Sequence, residues 1–137
     1  MIQPASTMAK QVAQAVMDFQ KKTTGHAPKA ITVVLSQDTL VVTLHEALSP
    51  AERDMARDPA GAAKVQEFHR QLFSSSSQSL LDEIKRITGV EVREAVAEVE
   101  PSSGDVVQAF TRSAMVQMFR LAQNVPEDTW SSLEKSP

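Results

Sequence analysis

The spacing of apolar residues changes period along the chain, and each change predicts a new element. From Met8 to Phe19 the apolar residues recur at helical spacing, which predicts an amphipathic helix over residues 7–22 that stops before Gly25. After Pro28 the period falls to two. Alternating apolar residues on both sides of a polar stretch at 36–39 then predict a β-hairpin.

Two cap-and-proline signals follow the hairpin. Ser49 precedes Pro50 and stands three residues before Glu52, an arrangement typical of a capping box at the start of a short helix. A capping residue before a proline occurs again at Asp58 and Pro59. It predicts a second helix over residues 59–88 that ends at Gly89. A break of this long helix at Ser74–Ser77 remains open, because serine is a mediocre helix former and a good cap.

The pattern returns to strands at residues 90–99 and 105–111, which predict a second hairpin around a turn at 101–104. Its expected core side chains are Val92, Val96, Val106 and Phe110. A final helix is expected from Ser113 to Asn124. We expect one domain over residues 1–125 and a mobile tail over residues 126–137.

These elements predict an α+β fold. Its two layers are an antiparallel sheet built from the two hairpins and a layer of helices on one face, in the order α-β-β-α-α-β-β-α.

Composition narrows the class of protein. The 137 residues include no cysteine, which excludes disulfides and thiolate metal sites and suits a reducing compartment, so we expect a cytoplasmic location. No apolar run is long enough to span a membrane, and the N-terminal residues lack the apolar core of a secretory signal, so we expect no membrane insertion. The net charge of −3 provides no excess of positive charge for binding phosphates, so we expect no nucleic-acid partner.

Three stretches together resemble the MpsC-like family. They are the segment Gly25–Lys29 leading into the first hairpin, the segment Leu40–Arg53 with its capping box, and the segment from Leu80 to Pro101 with the Thr88-Gly89-Val90 junction. The resemblance spans Val12 to Phe110. It implies a soluble accessory component of a sodium-translocating, membrane-potential-generating system, whose related membrane components are linked to sodium and inorganic-carbon uptake.

The polar residues do not form a catalytic or metal-binding pattern. The three histidines, His26, His45 and His69, fall on a loop, a strand and a helix at spacings that enforce no convergence, so we expect no metal, no cofactor and no enzymatic activity. His69 is expected at a solvated helical position. The segment Gly25–Lys29 has two interpretations. It is either a recognition loop in which His26 and Lys29 meet an anion or an acidic partner, or a helix stop followed by the start of a strand.

Two functional hypotheses remain. The first is a non-catalytic interaction or regulatory module that forms homo-oligomers and has a membrane transport protein as a further partner. Its expected interface is the C-terminal stripe of Met115, Met118, Phe119 and Ala122, which alternatively packs on its own sheet. The second is a small-ligand sensor with a pocket between the sheet and the long helix, where Lys29, His45 or Arg53 would converge.

Overall fold

The computed structural model describes the backbone of residues 4–111 and the side chains of residues 8–111. In chain order, the helices and strands are α1 (Pro4–Thr24), β1 (Ala30–Ser36), β2 (Thr39–His45), α2 (Pro50–Met55), α3 (Pro59–Ser76), α4 (Gln78–Thr88), β3 (Glu94–Glu100) and β4 (Asp105–Thr111). The predicted C-terminal helix and tail lie outside these residues.

The four strands form one antiparallel sheet in the order β1-β2-β4-β3. Each hairpin keeps its own two strands adjacent, and β2 joins β4 at the centre of the sheet. The register aligns Val33 with Val42, Val42 with Gln108, and Gln108 with Ala97, so these residues share the inner face. The predicted α+β class and the sheet of two hairpins are confirmed.

The helices pack on this inner face. Phe73 of α3 lies between Phe19 of α1 and Phe110 of β4, with ring centroids 6.2 Å and 6.1 Å away. The buried core continues through Val12 and Val16 of α1, Val65 of α3, Leu80, Ile84 and Ile87 of α4, and Leu40, Val42, Leu44, Val99 and Val106 of the sheet. The helices and the sheet therefore form two layers around one hydrophobic core.

Local capping explains where the helices begin and end. Ser49 Oγ accepts a hydrogen bond from the Glu52 N–H, and Glu52 Oε1 accepts one from the Ser49 N–H, so the predicted capping box is confirmed. Asp58 caps α3 through the Gly61 N–H. Gly89, with a positive φ of 76°, ends α4 as predicted.

The helix predicted over residues 59–88 is divided at Ser77 into α3 and α4, which settles the alternative that the sequence left open. The Ser77 N–H still bonds to the Phe73 carbonyl, but its side chain makes no capping hydrogen bond. α3 packs along β3 whereas α4 packs against α1, so the division lets one helical run meet two different surfaces.

Two predicted positions are wrong. Val96 lies on the outer face because β3 begins only at Glu94 and pairs Val96 with Ala109; the irregular residues before it break the alternation from Val92. His69 is buried rather than solvated, with 5% of its surface exposed. It stands four residues from Val65 and four from Phe73, and these three side chains, with Gly61, form the buried stripe of α3.

Candidate functional site

An apolar cleft opens between the two layers at the end of the sheet where the first hairpin turns. Its volume is about 280 Å³. The apolar side chains that line it are Met8, Ala9 and Val12 of α1, Val33, Leu35 and Leu40 of the first hairpin, Ile84 of α4, Val90 and Val92 of the loop after α4, and Phe110 of β4. The cleft is thus an extension of the hydrophobic core that reaches the surface.

The mouth of this cleft gathers several of the exposed large hydrophobic side chains of the described residues. Within residues 8–111, six large hydrophobic side chains are exposed, and three of them, Met8 (39%), Leu35 (67%) and Val90 (45%), line the cleft. Single exposed apolar residues are ordinary, whereas a group of them around one concave surface is typical of binding sites.

The polar groups of the cleft lie at its rim. Gln37 and Asp38 form the turn between β1 and β2, and Gln37 has a positive φ of 54°. Glu91 stands on the opposite side and pairs with Lys85 at 3.3 Å. The described residues that line the cleft include no lysine, arginine or histidine, so the rim favours neutral or cationic groups over anions.

The structure brings two of the predicted binding residues together, at the opposite end of the first hairpin. The Lys29 N–H donates a hydrogen bond to the His45 carbonyl at 2.8 Å, and Lys29 Nζ lies 3.5 Å from Glu46 Oε2. His45 Nε2 lies 2.8 Å from Thr32 Oγ1 on the outer face of the sheet. Both side chains therefore already have partners within their own hairpin.

The other two predicted binding residues make separate local contacts. Arg53 Nη1 donates to the Ser103 carbonyl at 2.7 Å and packs over Gly104, joining α2 to the turn between β3 and β4. The His26 N–H donates to Thr24 Oγ1 in the loop after α1. None of the four predicted residues lines the cleft. The predicted interface residues Met115, Met118, Phe119 and Ala122 lie outside the described residues.

A buried acid–histidine pair joins α2 to α3. Glu52 Oε2 lies 2.7 Å from His69 Nε2, while Glu52 Oε1 accepts the Ser49 N–H. Partial burial works to raise the pKa of Glu52, but the hydrogen bonds from Ser49 and His69 and the charge of His69 outweigh it, so the pKa lies below its ordinary value. The four-residue spacing of Val65, His69 and Phe73 was the signal that could have revealed this burial from the sequence.

Two glutamines complete the polar interior. Gln20 and Gln108 are 3% and 1% exposed, and within the described residues Gln20 Nε2 and Gln108 Oε1 have no hydrogen-bond partner. Both line a narrow gap next to His69. A glutamine at the centre of an apolar sheet face is unusual, and nothing in the strand pattern of β4 explains it.

In residues 4–111, no group of three or more histidine, aspartate or glutamate side chains is arranged to hold a metal ion. Over the same range, none of the helices combines the length and apolar character needed to cross a bilayer.

Fold and cleft together define the class of protein, a two-layer α+β domain with an open apolar cleft between its layers. A family model described as "Na+-translocating membrane potential-generating system (MpsC)" matches residues 5–113, and the chain belongs to this family. The resemblance found in the sequence motifs is thereby confirmed. The uncharacterized protein YbcI of Bacillus subtilis (strain 168) is 21% identical over 104 residues, which cover 76% of this chain and 84% of YbcI. No solved structure matches the chain.

Proposed function

We propose that this protein is a non-catalytic accessory module that binds a protein component of a membrane ion-translocating system through its apolar cleft. The family description supports the kind of system. The observation that carries the binding role is the cleft itself, whose mouth gathers three of the six exposed large hydrophobic side chains of the described region.

The chemistry of the cleft favours a protein partner over a small polar ligand. Sites for small molecules usually add a few convergent polar groups to an apolar wall. Here the polar groups, Gln37, Asp38 and Glu91, stand at the rim, while Lys29, His45 and Arg53 are bonded elsewhere. A partner segment with apolar side chains and a neutral or basic flank would complement both the wall and the rim.

The same cleft supports a second candidate function, a sensor of a small apolar molecule. Its volume of about 280 Å³ is near the lower end of the range for ligand pockets. It lies between the sheet and α4, which is the C-terminal part of the helix predicted to border such a pocket. The sensor role would need no protein partner at the cleft, so the two functions can be separated by experiment.

The test compares two cleft variants with a matched surface control. Met8→Asp and Val90→Asp place a charge at the cleft mouth, whereas Phe68→Asp places one on α3 at a side chain that is 54% exposed and outside the cleft. Each variant is co-expressed with the membrane subunits of such a system and recovered by affinity purification. We expect both cleft variants to lose the membrane subunits and Phe68→Asp to retain them.

Two results would contradict the proposal. Equal recovery of the membrane subunits with all three variants would show that the cleft is not the binding surface. An apolar molecule released from the purified wild-type protein on denaturation, stoichiometric by mass spectrometry and absent from Val90→Asp, would instead assign the sensor function.

A further inference from the structure

We propose that two copies of this protein associate through β1, edge to edge and antiparallel, so that two four-stranded sheets become one continuous sheet. The twofold axis passes beside Val34. This inference rests on the charge and exposure of the sheet edge and does not require the proposed function. Val34 lies outside the cleft lining, whereas Val33 and Leu35 of the same strand line the cleft.

The two edges of the sheet differ in charge. β3, at one edge, carries Glu94, Glu98 and Glu100 along its seven residues. β1, at the other edge, has the sequence AITVVLS and carries no charged residue. Charged side chains on an edge strand are a common protection against pairing with another chain. β3 has this protection, and β1 lacks it.

Exposure on both faces of β1 points to a strand rather than a helix or a loop as its partner. Val34 is 53% exposed and Leu35 is 67% exposed. Because consecutive strand residues point to opposite faces, a partner lying on one face of the sheet would cover only one of the two. A strand added beside β1 would shield both and would also satisfy the backbone groups of the edge.

A second copy of β1 is the partner that the charges favour. Pairing β3 with β3 would set the carboxylates of two copies against each other, which is unfavourable. Pairing β1 with β3 of another copy leaves one edge free on each molecule and leads to open chains rather than a closed dimer. Two uncharged β1 strands pair symmetrically and close the assembly.

The exposed side chains fix the register. With the twofold axis at Val34, Val34 faces Val34 of the partner subunit on the outer face, and Leu35 faces Val33 of the partner subunit on the inner face. The two exposed large hydrophobic side chains of the strand are then both covered by apolar neighbours. A shift of the axis to Val33 would instead place the polar Thr32 of the partner subunit opposite Val34.

The lack of cysteine in the chain allows a direct test of this register. In Val34→Cys the two thiols of a dimer lie on residues whose Cβ atoms are about 5 Å apart, within reach of a disulfide. We expect mild oxidation to give a covalent dimer in high yield. Phe68→Cys, with a similarly exposed side chain on α3, is the control and should remain monomeric on a non-reducing gel.

A second variant tests the interface without cross-linking. Val34→Lys places two like charges face to face at the axis, and we expect the dimer to dissociate at concentrations about a hundredfold higher than for wild type, with unchanged circular dichroism. Phe68→Lys should leave the dimer intact. The measurement is mass by light scattering over a concentration series. Val34 itself does not line the cleft, so Val34→Lys leaves the cleft-lining residues of each subunit unchanged.

Three outcomes would overturn the proposal. The first is a wild-type protein that is monomeric at high micromolar concentration. The second is equal cross-linking of Val34→Cys and Phe68→Cys. The third is a Val34→Lys variant that stays dimeric while a chain cut after Arg112 becomes monomeric, which would assign the interface to the C-terminal stripe of Met115, Met118, Phe119 and Ala122 instead.

Discussion

Removal of the Glu52 side chain should destabilise the protein far more than removal of an exposed glutamate. In Glu52→Ala the Ser49 N–H loses its capping acceptor, which costs about 1 kcal/mol. The same change removes the carboxylate that lies 2.7 Å from His69 Nε2, and His69 is only 5% exposed. Leaving this buried nitrogen without a partner costs about 1–3 kcal/mol more. We expect the free energy of unfolding to fall by about 2–4 kcal/mol.

The matched control is Glu67→Ala. Glu67 lies in α3, and 57% of its side chain is exposed. Its carboxylate pairs with Arg70 at 3.5 Å. An exposed pair of this kind is worth about 0–1 kcal/mol. Urea unfolding followed by far-ultraviolet circular dichroism measures both variants. Equal losses of stability in the two would refute the structural role assigned to Glu52.

The pH dependence of stability distinguishes the contribution of the Glu52 charge from that of its side-chain shape. Glu52→Gln keeps a side chain that can accept the Ser49 N–H but removes the carboxylate. Because the pKa of Glu52 is lowered in the folded state, its charge stabilises the protein above the ordinary carboxyl pKa of about 4.3 and loses this effect as the pH falls below it. At neutral pH the free energy of unfolding should be about 1 kcal/mol lower for Glu52→Gln than for wild type, and this difference should shrink as the pH falls. A difference independent of pH would show that the charge of Glu52 does not stabilise the fold.

Four further predictions concern other parts of the molecule. Ser49→Ala should lower stability by about 1 kcal/mol through loss of the cap on α2, and an unchanged unfolding midpoint would show that the cap contributes nothing. Gly61→Ala should lower it by about 3 kcal/mol, because a Cβ there overlaps the Met55 carbonyl oxygen; a midpoint equal to wild type would refute that overlap. Gln108→Met should be neutral or stabilising by about 1 kcal/mol because it removes a buried acceptor without a partner, and a clear loss of stability would indicate that the amide is bonded in solution. Elemental analysis should find no stoichiometric zinc, iron or nickel, and treatment with a chelator should leave the unfolding midpoint unchanged.

Local signals in the sequence predicted the elements well because the forces that form them are local. The capping box at Ser49, the glycine stop at Gly89 and the two periods of apolar residues depend on neighbours within one or two turns of the chain. β4 was predicted with the bounds that the structure shows, since a turn with Pro101 and Gly104 fixes its start.

The candidate site could not be predicted in the same way. The cleft is a space between α1, α4 and the tip of the first hairpin, and its existence depends on distances between elements far apart in the chain. The burial of His69 depends on which of two overlapping stripes of α3 faces the sheet. Val65, Phe68 and Leu72 form an apolar stripe at helical spacing that the sequence shows equally well, whereas Phe68 is 54% exposed in the structure.

Uneven coverage of the sheet accounts for both surfaces that we propose. β4 is buried at six of its seven positions, whereas β1 is buried at none. The division at Ser77 contributes to this difference, because it directs α3 along β3 and α4 against α1, so that of the described helices α1 is the main one to contact β1. Among the described residues, the inner face of β1 near Leu35 then remains open as the cleft, and the edge of the sheet at Val34 has no neighbouring strand. The two surfaces adjoin at Val33 and Leu35, which line the cleft and also face the partner subunit in the proposed register, so a second copy along β1 borders the mouth of the cleft.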